Sequence, residues 1–308
     1  MKSLLNVKNL SVHFMLEEIT VKAVDRASIE VKENEVLTLI GESGSGKSVL
    51  GMAILKLLPS NIKIGGRIDF NGFNLLELPE EKMKDIRGQE IAWVPQNPSS
   101  SLNPVLKVGF QIAEPMEVHL GYGRKTAWQK AIDLLRFFDI RPPEKRAKQY
   151  PHQYSGGMRQ RALVAMGTST RPKLIIADEP TKGVDATKKI RVIELFRKIR
   201  NNHKPSLLII THDLPFAEKL ADRVAVMYCG QVVEVAKAET FFNSPLHPYS
   251  KALLESLPSK GLKPIKGLSP SMIDPPKGCR FRPRCDYATD KCFEEPPFNG
   301  QVRCWLYA

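Results

Sequence analysis

The chain has 308 residues, of which 42% are hydrophobic and 26% charged, and its formal net charge is +13. This length suits one large domain with a smaller addition, and the composition excludes wholesale disorder. No run of about 18 apolar residues is present and the first residues lack a secretory-signal pattern, so we expect neither a membrane-spanning helix nor secretion. The basic balance favours anionic partners such as nucleotides, nucleic acid or an anionic membrane surface.

The N-terminal part predicts antiparallel strands, then a buried strand and a helix. Apolar residues partly alternate over Leu4–Phe14 and Ala23–Val31, which is typical of half-buried strands. Val36–Ile40 is a continuous apolar run, as in a central strand buried on both faces. Residues Val49 to Leu58 predict a helix that ends before Pro59.

The middle of the chain, roughly residues 97–170, has a mostly helical pattern. Apolar runs at 174–178 and 207–211 then flank a helical pattern over Ile190–Ile199, and this βαβ unit implies a parallel sheet. Residues 224–228 and 231–234 predict a hairpin around Cys229 and Gly230. Eight prolines lie between Pro258 and the end of the sequence, and a tail of this composition cannot build a hydrophobic core of its own. We therefore expect it to need a covalent or metal cross-link to be ordered.

A glycine-rich segment after the central strand fits the phosphate-binding pattern G-x-x-x-x-G-K-[ST]. Glycines let successive backbone N–H groups point at phosphate oxygens, and the following helix adds its N-terminal dipole. We expect Lys47 to reach the β- and γ-phosphates and the Ser48 hydroxyl to bind Mg²⁺. A chance match is the alternative, but the strand before and the helix after argue against it. The predicted nucleotide contacts are Gly41, Ser43, Gly44, Ser45, Gly46, Lys47 and Ser48.

Two acidic residues follow the apolar run that starts at Leu174. Asp178 is a candidate ligand of Mg²⁺, and Glu179 is a candidate general base that polarises the attacking water. A helix N-cap is the alternative for Asp178, but it does not explain a pair of acids so placed downstream of a P-loop. Gln96 could contact both Mg²⁺ and the water, and His212 could hydrogen-bond the γ-phosphate and the water. Taken alone, these two would be an ordinary solvated amide and an ordinary histidine.

A second glycine-rich segment, Ser155-Gly156-Gly157, precedes a helical run. Ser155 is a plausible N-cap, and two glycines expose backbone N–H groups at the start of that helix. The segment therefore predicts a second anion-binding helix start, with an ordinary glycine-rich turn as the alternative.

The order of these motifs resembles the ATPases of ABC transporters over about residues 4–257. The resemblance implies an α/β fold with an ABC-type P-loop ATPase core, a mixed sheet with helices, an antiparallel β subdomain and a helical subdomain at about 97–170. It implies ATP hydrolysis with Mg²⁺ and a head-to-tail dimer of such domains. Ser155, Gly156 and Gly157 of one subunit would then contact the ATP held by the partner's P-loop, and Gln96 would relay the state of ATP to the membrane subunits.

The same resemblance adds Asp185 at the dimer contact and Phe14 as the aromatic side chain that stacks on adenine. Lys182 and Gly183 depart from the commonest pattern, in which a small residue and a leucine precede this aspartate. An apolar core position is the alternative explanation for Phe14.

Four of the five cysteines lie in the tail, separated by five, six and eleven residues. Four thiolates suit Zn²⁺ or an iron–sulfur cluster, and these gaps are wider than the usual C-x₂₋₄-C of zinc sites. Four unrelated reduced thiols are the remaining alternative. Basic residues around the cysteines, such as Arg280 and Arg284, would offset the negative charge of a cluster.

The segments Leu246–Leu254 and Gly278–Cys285 resemble the C-terminal region of dipeptide and oligopeptide importer ATPases. The resemblance implies an ATPase domain over 1–257, an extension over 258–308, and a [4Fe-4S] cluster on Cys279, Cys285, Cys292 and Cys304. It implies a peripheral subunit at the cytoplasmic face of the membrane that powers import of di- or oligopeptides. Its expected partners are a homologous second ATPase subunit, two transmembrane permease subunits and an extracytoplasmic substrate-binding protein.

Two other functions fit the sequence less well. Nickel or oligosaccharide import is an alternative within the same branch, because selection of the transported substrate lies in other subunits. A soluble ABC ATPase acting on nucleic acid would fit the net charge of +13. Such proteins usually carry long coiled coils, large insertions or two ATPase halves, and the sequence has none of these, so we expect no nucleic-acid partner.

Overall fold

A computed structural model describes residues 2–184 and 186–308, without the side chains at 186–188. In chain order its main elements are β1 Ser3–Leu16, β2 Ile19–Lys32, β3 Val36–Ile40, α1 Lys47–Ile54, β4 Ile62–Phe70, β5 Phe73–Asn74, α2 Glu80–Ile86, β6 Ile91–Val94, α3 Pro98–Ser101, α4 Val108–Leu120, α5 Arg124–Phe137, α6 Pro143–Ala147, α7 Gly156–Thr168, β7 Leu174–Asp178, α8 Ala186–His203, β8 Ser206–Thr211, α9 Leu214–Leu220, β9 Arg223–Tyr228, β10 Gln231–Lys237, α10 Ala238–Asn243 and α11 Pro248–Glu255. Short 3₁₀ turns lie at Pro151–Gln153, Pro258–Lys260, Arg282–Arg284, Asp290–Phe293 and Trp305–Tyr307.

The chain forms two compact units, one of residues 1–77 with 210–308 and one of residues 78–209. In the first unit, β1 pairs antiparallel with both β2 and β4, and the strand order of this sheet is β2-β1-β4-β5. The predicted antiparallel N-terminal sheet is therefore confirmed. Its strands β1 and β2 alternate between buried and exposed positions only in part, because bulges shift their register at several points.

The first unit also contains the buried strand that leads into the glycine-rich loop. All five residues of β3 are buried, as predicted, and β3 pairs in parallel with β9. Strands β9 and β10 form the predicted hairpin. Cys229 and Gly230 at its turn both have positive φ, 44° and 82°, as a two-residue hairpin turn of this hand requires.

Helix α1 ends at Ile54, four residues earlier than the predicted end at Leu58. The physical reason is a left-handed residue at Lys56, whose φ is 52°. The N–H groups of Leu55 and Leu57 both donate to the carbonyl of Met52, which closes the last turn. Apolar periodicity continues past this point, and it therefore does not mark the helix end.

The tail packs onto the core of the first unit. Phe281 is buried and lies 5.3 Å from the ring centre of Tyr228 and 5.4 Å from that of Tyr249. Val302 bridges to Glu234, and the Arg303 N–H donates to the Val233 carbonyl, so the tail also extends the edge of β10. The tail was expected to need a covalent or metal cross-link to be ordered. Apolar contacts with the core of the first unit and strand pairing with β10 also order it, so that expectation is incomplete.

The second unit combines parallel strands with the predicted helices. β6 and β7 pair in parallel with Val94 opposite Ala177, and α3 to α7 occupy the region with the helical pattern. In α5 the buried residues Ala127, Ala131 and Leu135 recur every four positions and form the packed face. α8 is longer than the predicted Ile190–Ile199, and β8 returns the chain to the first unit.

Candidate nucleotide-binding site

The glycine-rich loop Gly41–Ser48 connects β3 to α1 in the first unit. The buried Lys47 begins the helix, and its ammonium donates to the carbonyls of Gly41 at 2.9 Å and Glu42 at 2.8 Å and to the Ser45 hydroxyl at 3.3 Å. The lysine side chain therefore lies along the inside of the loop. This is the geometry in which a loop lysine is held ready for a bound anion.

Two glycines of the loop approach neighbouring backbone very closely. A Cβ on Gly46 would lie 2.1 Å from the Ala23 carbonyl oxygen, and its φ of 101° is in the left-handed region. A Cβ on Gly41 would lie 2.1 Å from the Met227 carbonyl oxygen. The Gly230 N–H in turn donates to the Ser45 carbonyl at 3.0 Å. The loop is thus enclosed by the first strands and the β9–β10 hairpin.

The outer part of the loop faces solvent. Ser43 and Gly44 are exposed, and Ser48 is half-buried. Phe14 is half-buried on β1, opposite Val21 on one side and Ile62 on the other. Its ring is therefore partly accessible, and its role as the adenine-stacking residue stays a prediction.

In the second unit, the strand register brings two of the three candidate magnesium ligands, Gln96 and Asp178, to one edge. Because Val94 and Ala177 are paired in parallel, Gln96 and the pair Asp178-Glu179 follow strands that end at the same edge. Asp178 and Glu179 are buried, at 7% and 6% exposure. Glu179 has a φ of 47°, a conformation that costs on the order of 1–3 kcal/mol in a non-glycine residue and is typical of functional sites.

His212 and the neighbouring Asp213 follow β8. Asp213 caps α9 by accepting from the Phe216 N–H at 3.1 Å, and its own N–H donates to the Thr211 hydroxyl at 3.0 Å. His212 lies between these two fixed residues and is exposed. Its backbone is therefore held while its ring faces outward.

The Ser155-Gly156-Gly157 segment has an open geometry, unlike the loop at Gly41–Ser48. Ser155 is the N-cap of α7 and accepts from the Met158 N–H at 3.3 Å, as predicted from its position. Ser155, Gly156 and Gly157 are all exposed, and a Cβ on either glycine would meet nothing within 4 Å. The N–H groups at this helix start thus face solvent rather than the interior of the unit.

A cavity of about 430 Å³ adjoins this helix start within the second unit. Its lining includes Ser155, Gly156 and Gly157 together with the basic residues Arg161, Lys182 and Arg191, none of which the sequence predicted as a binding residue. Their signals in the sequence were the net basic composition and, for Lys182, its departure from the commonest family pattern. Asp185 lies outside the described residues.

The four tail cysteines line one cavity of about 120 Å³, although their spacing in the chain is wide. Burial raises the pKa of the Cys279 thiol to about 11 and also raises the pKa values of Cys285 and Cys304. All five cysteines are free thiols. Within residues 2–184 and 186–308, no group of three or more His, Cys, Asp or Glu side chains is arranged to hold a metal ion.

Three of the basic residues near the cysteines pair with carboxylates of the protein. Arg280 pairs with Asp25, Arg284 with Glu42 and Arg303 with Glu295. Their charges therefore serve contacts inside the first unit, and their predicted role in offsetting the charge of a cluster stays a prediction. In the part of the chain that the structure describes, no helix has the length and apolar character needed to cross a bilayer.

A P-loop after a buried strand, an acidic pair at a strand end and a second, capped glycine-rich helix start define the class of ABC-type ATPases. Comparison with known proteins agrees with this class. Residues 24–182 match the family model described as ABC transporter, and residues 233–292 match the model described as oligopeptide/dipeptide transporter, C-terminal region. The chain belongs to the ATP-binding proteins of ABC transporters, with the C-terminal region of the oligopeptide/dipeptide branch, and it is an ATPase.

Relatives cover nearly the whole chain. The dipeptide transport ATP-binding protein DppD of Escherichia coli (strain K12) is 45% identical over 96% of this chain and 93% of its own length. The oligopeptide transport ATP-binding protein AppD of Bacillus subtilis (strain 168) is 42% identical over 100% of this chain and 98% of its own. A dimeric ATP-binding cassette in a post-hydrolysis state bound to ADP and Pi superimposes with a TM-score of 0.68 at 23% identity, covering 76% of this chain and 99% of that one. This last likeness establishes the fold.

Proposed function

We propose that this chain is the ATP-binding and ATP-hydrolysing subunit that powers import of di- or oligopeptides through an ABC transporter. The observation that carries the proposal is the open helix start at Ser155–Gly157, whose exposed N–H groups and adjoining basic cavity suit a phosphate group brought by another subunit. The peptide substrate class is supported by the relatives named for dipeptide and oligopeptide transport. We also propose a peripheral position on the cytoplasmic face of the membrane, and the match to the ABC transporter family model supports association with a membrane.

In the proposed cycle, Lys47 and the loop N–H groups bind the β- and γ-phosphates of ATP. Glu179 polarises the attacking water, assisted by Gln96 and His212. Ser48, Gln96 and Asp178 supply the oxygen ligands that Mg²⁺ prefers, and the ion would neutralise charge on the phosphates. Phe14 stacks on adenine.

Two such subunits would pair head to tail, so that Ser155, Gly156, Gly157 and Asp185 of one complete the site on the P-loop of the other. ATP would hold the pair together by charge and hydrogen bonds, and hydrolysis would release it. Two permease subunits would convert this change into transport of a substrate delivered by an extracytoplasmic binding protein. The ATPase domain would span residues 1–257 and the extension residues 258–308.

The substitution Glu179→Gln tests the catalytic assignment. We expect ATP hydrolysis by the assembled transporter to fall by about 100-fold or more while ATP binding is retained, because the amide accepts no proton from the water. The matched control is Glu194→Gln on the exposed side of α8, which should hydrolyse ATP like the unsubstituted protein. Unchanged hydrolysis in Glu179→Gln would contradict the assignment.

We also propose that the four tail cysteines hold a [4Fe-4S] cluster. Four sulfurs around one tetrahedral zinc ion lie within about 4 Å of one another, since each Zn–S bond is roughly 2.3 Å long. The proposal is supported by the four cysteines lining one cavity and by their sequence gaps of five, six and eleven residues, which are wider than those usual at zinc sites. Bound metal would favour the thiolate forms and offset the rise in thiol pKa caused by burial.

Iron and acid-labile sulfide in anaerobically purified protein test the cluster. We expect about four of each per chain and their loss in Cys292→Ser. Cys229→Ala is the matched control, because Cys229 is buried in the hairpin and does not line the cysteine cavity. One zinc per chain and a featureless visible spectrum would exclude the cluster.

A further inference from the structure

Glu42, the second residue of the P-loop, places a carboxylate in a loop proposed to bind a polyanion. A carboxylate near the phosphates repels them and lowers their affinity unless a cation offsets it. The structure shows what this carboxylate does. Both of its oxygens accept from one guanidinium in the tail, that of Arg284, at 2.9 Å and 3.0 Å.

The other polar groups of Glu42 are also fixed. Its carbonyl accepts from the Lys47 ammonium at 2.8 Å, and its N–H donates to the Tyr249 hydroxyl at 2.8 Å. Tyr249 is fully buried. Glu42 therefore joins the phosphate-binding lysine, the α11 helix and the tail at a single residue.

Arg284 is held as firmly as its partner. Its side chain is only 6% exposed, its Nε donates to the Lys266 carbonyl at 2.7 Å, and one Nη donates to the Tyr228 hydroxyl at 3.3 Å. Burial lowers the pKa of the Arg284 guanidinium, but the hydrogen bonds to Glu42 and Tyr228 raise it by more than burial lowers it. The net shift of the pKa is therefore upward, and the guanidinium keeps its charge. A bidentate, shielded pair of this kind is much stronger than an exposed surface ion pair.

A second arginine of the tail contacts the hairpin turn that packs against the loop. Arg280 donates to the Cys229 carbonyl and to Asp25. Gly230, which follows Cys229 in the chain, donates its N–H to the Ser45 carbonyl in the P-loop at 3.0 Å. Arg280 directly follows Cys279 and Arg284 directly precedes Cys285. The cysteine-bearing segment therefore contacts the loop directly through Arg284 and is linked to it indirectly through Arg280 and the hairpin turn.

We propose that Arg284 is a positioning residue for nucleotide binding: it neutralises Glu42 and holds it away from the phosphates, so the C-terminal extension sets the ATP affinity of the P-loop. This inference rests on the proposed nucleotide function of the loop. A purely structural role would make the loss of both side chains at least as harmful to ATP affinity as the loss of Arg284 alone, whereas the proposed role predicts that it is less harmful. Removing the arginine leaves an unpaired negative charge in the loop, whereas removing both charges leaves none.

Titration of the full chain with a fluorescent ATP analogue in Mg²⁺ tests the proposal. We expect Arg284→Gln to weaken binding about tenfold or more, and Arg284→Lys to weaken it less, since lysine keeps the charge but not the fork. The double variant Glu42→Gln/Arg284→Gln should recover to within about threefold of the original affinity. Glu42→Gln alone should bind at least as tightly as the unsubstituted chain.

The matched control is Arg26→Gln, which removes ion pairs with Glu295 of the tail and with Asp25 but leaves the pair between Glu42 and Arg284 in place. It should leave ATP affinity unchanged. A loss of affinity in Glu42→Gln, no recovery in the double variant, or an equal loss in Arg26→Gln would overturn the proposal. If Arg284→Gln fails to fold by circular dichroism, Glu42→Gln and the double variant still decide it. Failure of the unsubstituted chain to bind better than Lys47→Ala would instead reject the proposed nucleotide function.

Discussion

The two glycine-rich segments of this protein, both proposed to bind phosphate, differ in how closely other backbone packs against them. At the P-loop, glycines are required by the protein itself, since a Cβ on Gly41 or Gly46 would lie 2.1 Å from a carbonyl oxygen. At the start of α7, a Cβ on Gly156 or Gly157 would meet nothing within 4 Å. One segment is therefore enclosed within its own unit and the other is open. Glycines at an open site leave room for the close approach of another molecule, as the proposed dimer requires.

Because the P-loop is enclosed and the start of α7 is open, we expect the largest loss of stability from a substitution in the P-loop. Gly46→Ala should lower the free energy of unfolding by about 2–4 kcal/mol, because the methyl group clashes with the Ala23 carbonyl and the left-handed φ is strained. Urea unfolding followed by circular dichroism measures the change. A loss below about 0.5 kcal/mol would mean that the loop is not enclosed in solution.

A smaller effect is expected at the cap of α7. Ser155→Ala removes the acceptor of the Met158 N–H and should cost about 1 kcal/mol. Ser155→Asn is the matched control, because asparagine caps helices as well as serine does and should keep the stability. Equal losses for both variants would show that the hydroxyl acts through another contact than the cap.

The smallest effect on stability is expected at Gly157. A substitution there should weaken ATP-dependent dimerisation while leaving the free energy of unfolding almost unchanged. Gly157→Ala should leave the free energy of unfolding unchanged or raise it by up to about 1 kcal/mol, since alanine favours the helix and the position is open. ATP-dependent dimerisation, measured by analytical ultracentrifugation in the Glu179→Gln variant, should weaken about tenfold because the methyl group holds the partner's phosphates away. Dimerisation that is unaffected by the methyl group would remove the distinction between an enclosed and an open segment.

The order of elements and the local chemistry of the motifs could be predicted from the sequence. Apolar runs predicted β3, β7 and the β9–β10 hairpin, because burial selects apolar residues whatever surrounds the strand. The helix end at Ile54 could not be predicted, since it depends on a left-handed residue at Lys56 rather than on apolar periodicity. The motif Gly41–Ser48 and the cap at Ser155 were visible because their chemistry lies in consecutive residues.

By itself the sequence determined the class of protein, the P-loop, the cap of α7 and the presence of four tail cysteines. Only the tertiary structure decided that widely spaced cysteines share a cavity and that Glu42 pairs with Arg284 across 242 positions. It also decided which glycines are enclosed and which are open. The physical reason is that caps and phosphate loops form between near neighbours in the chain, whereas charge pairing and close backbone approach depend on segments that only folding brings together.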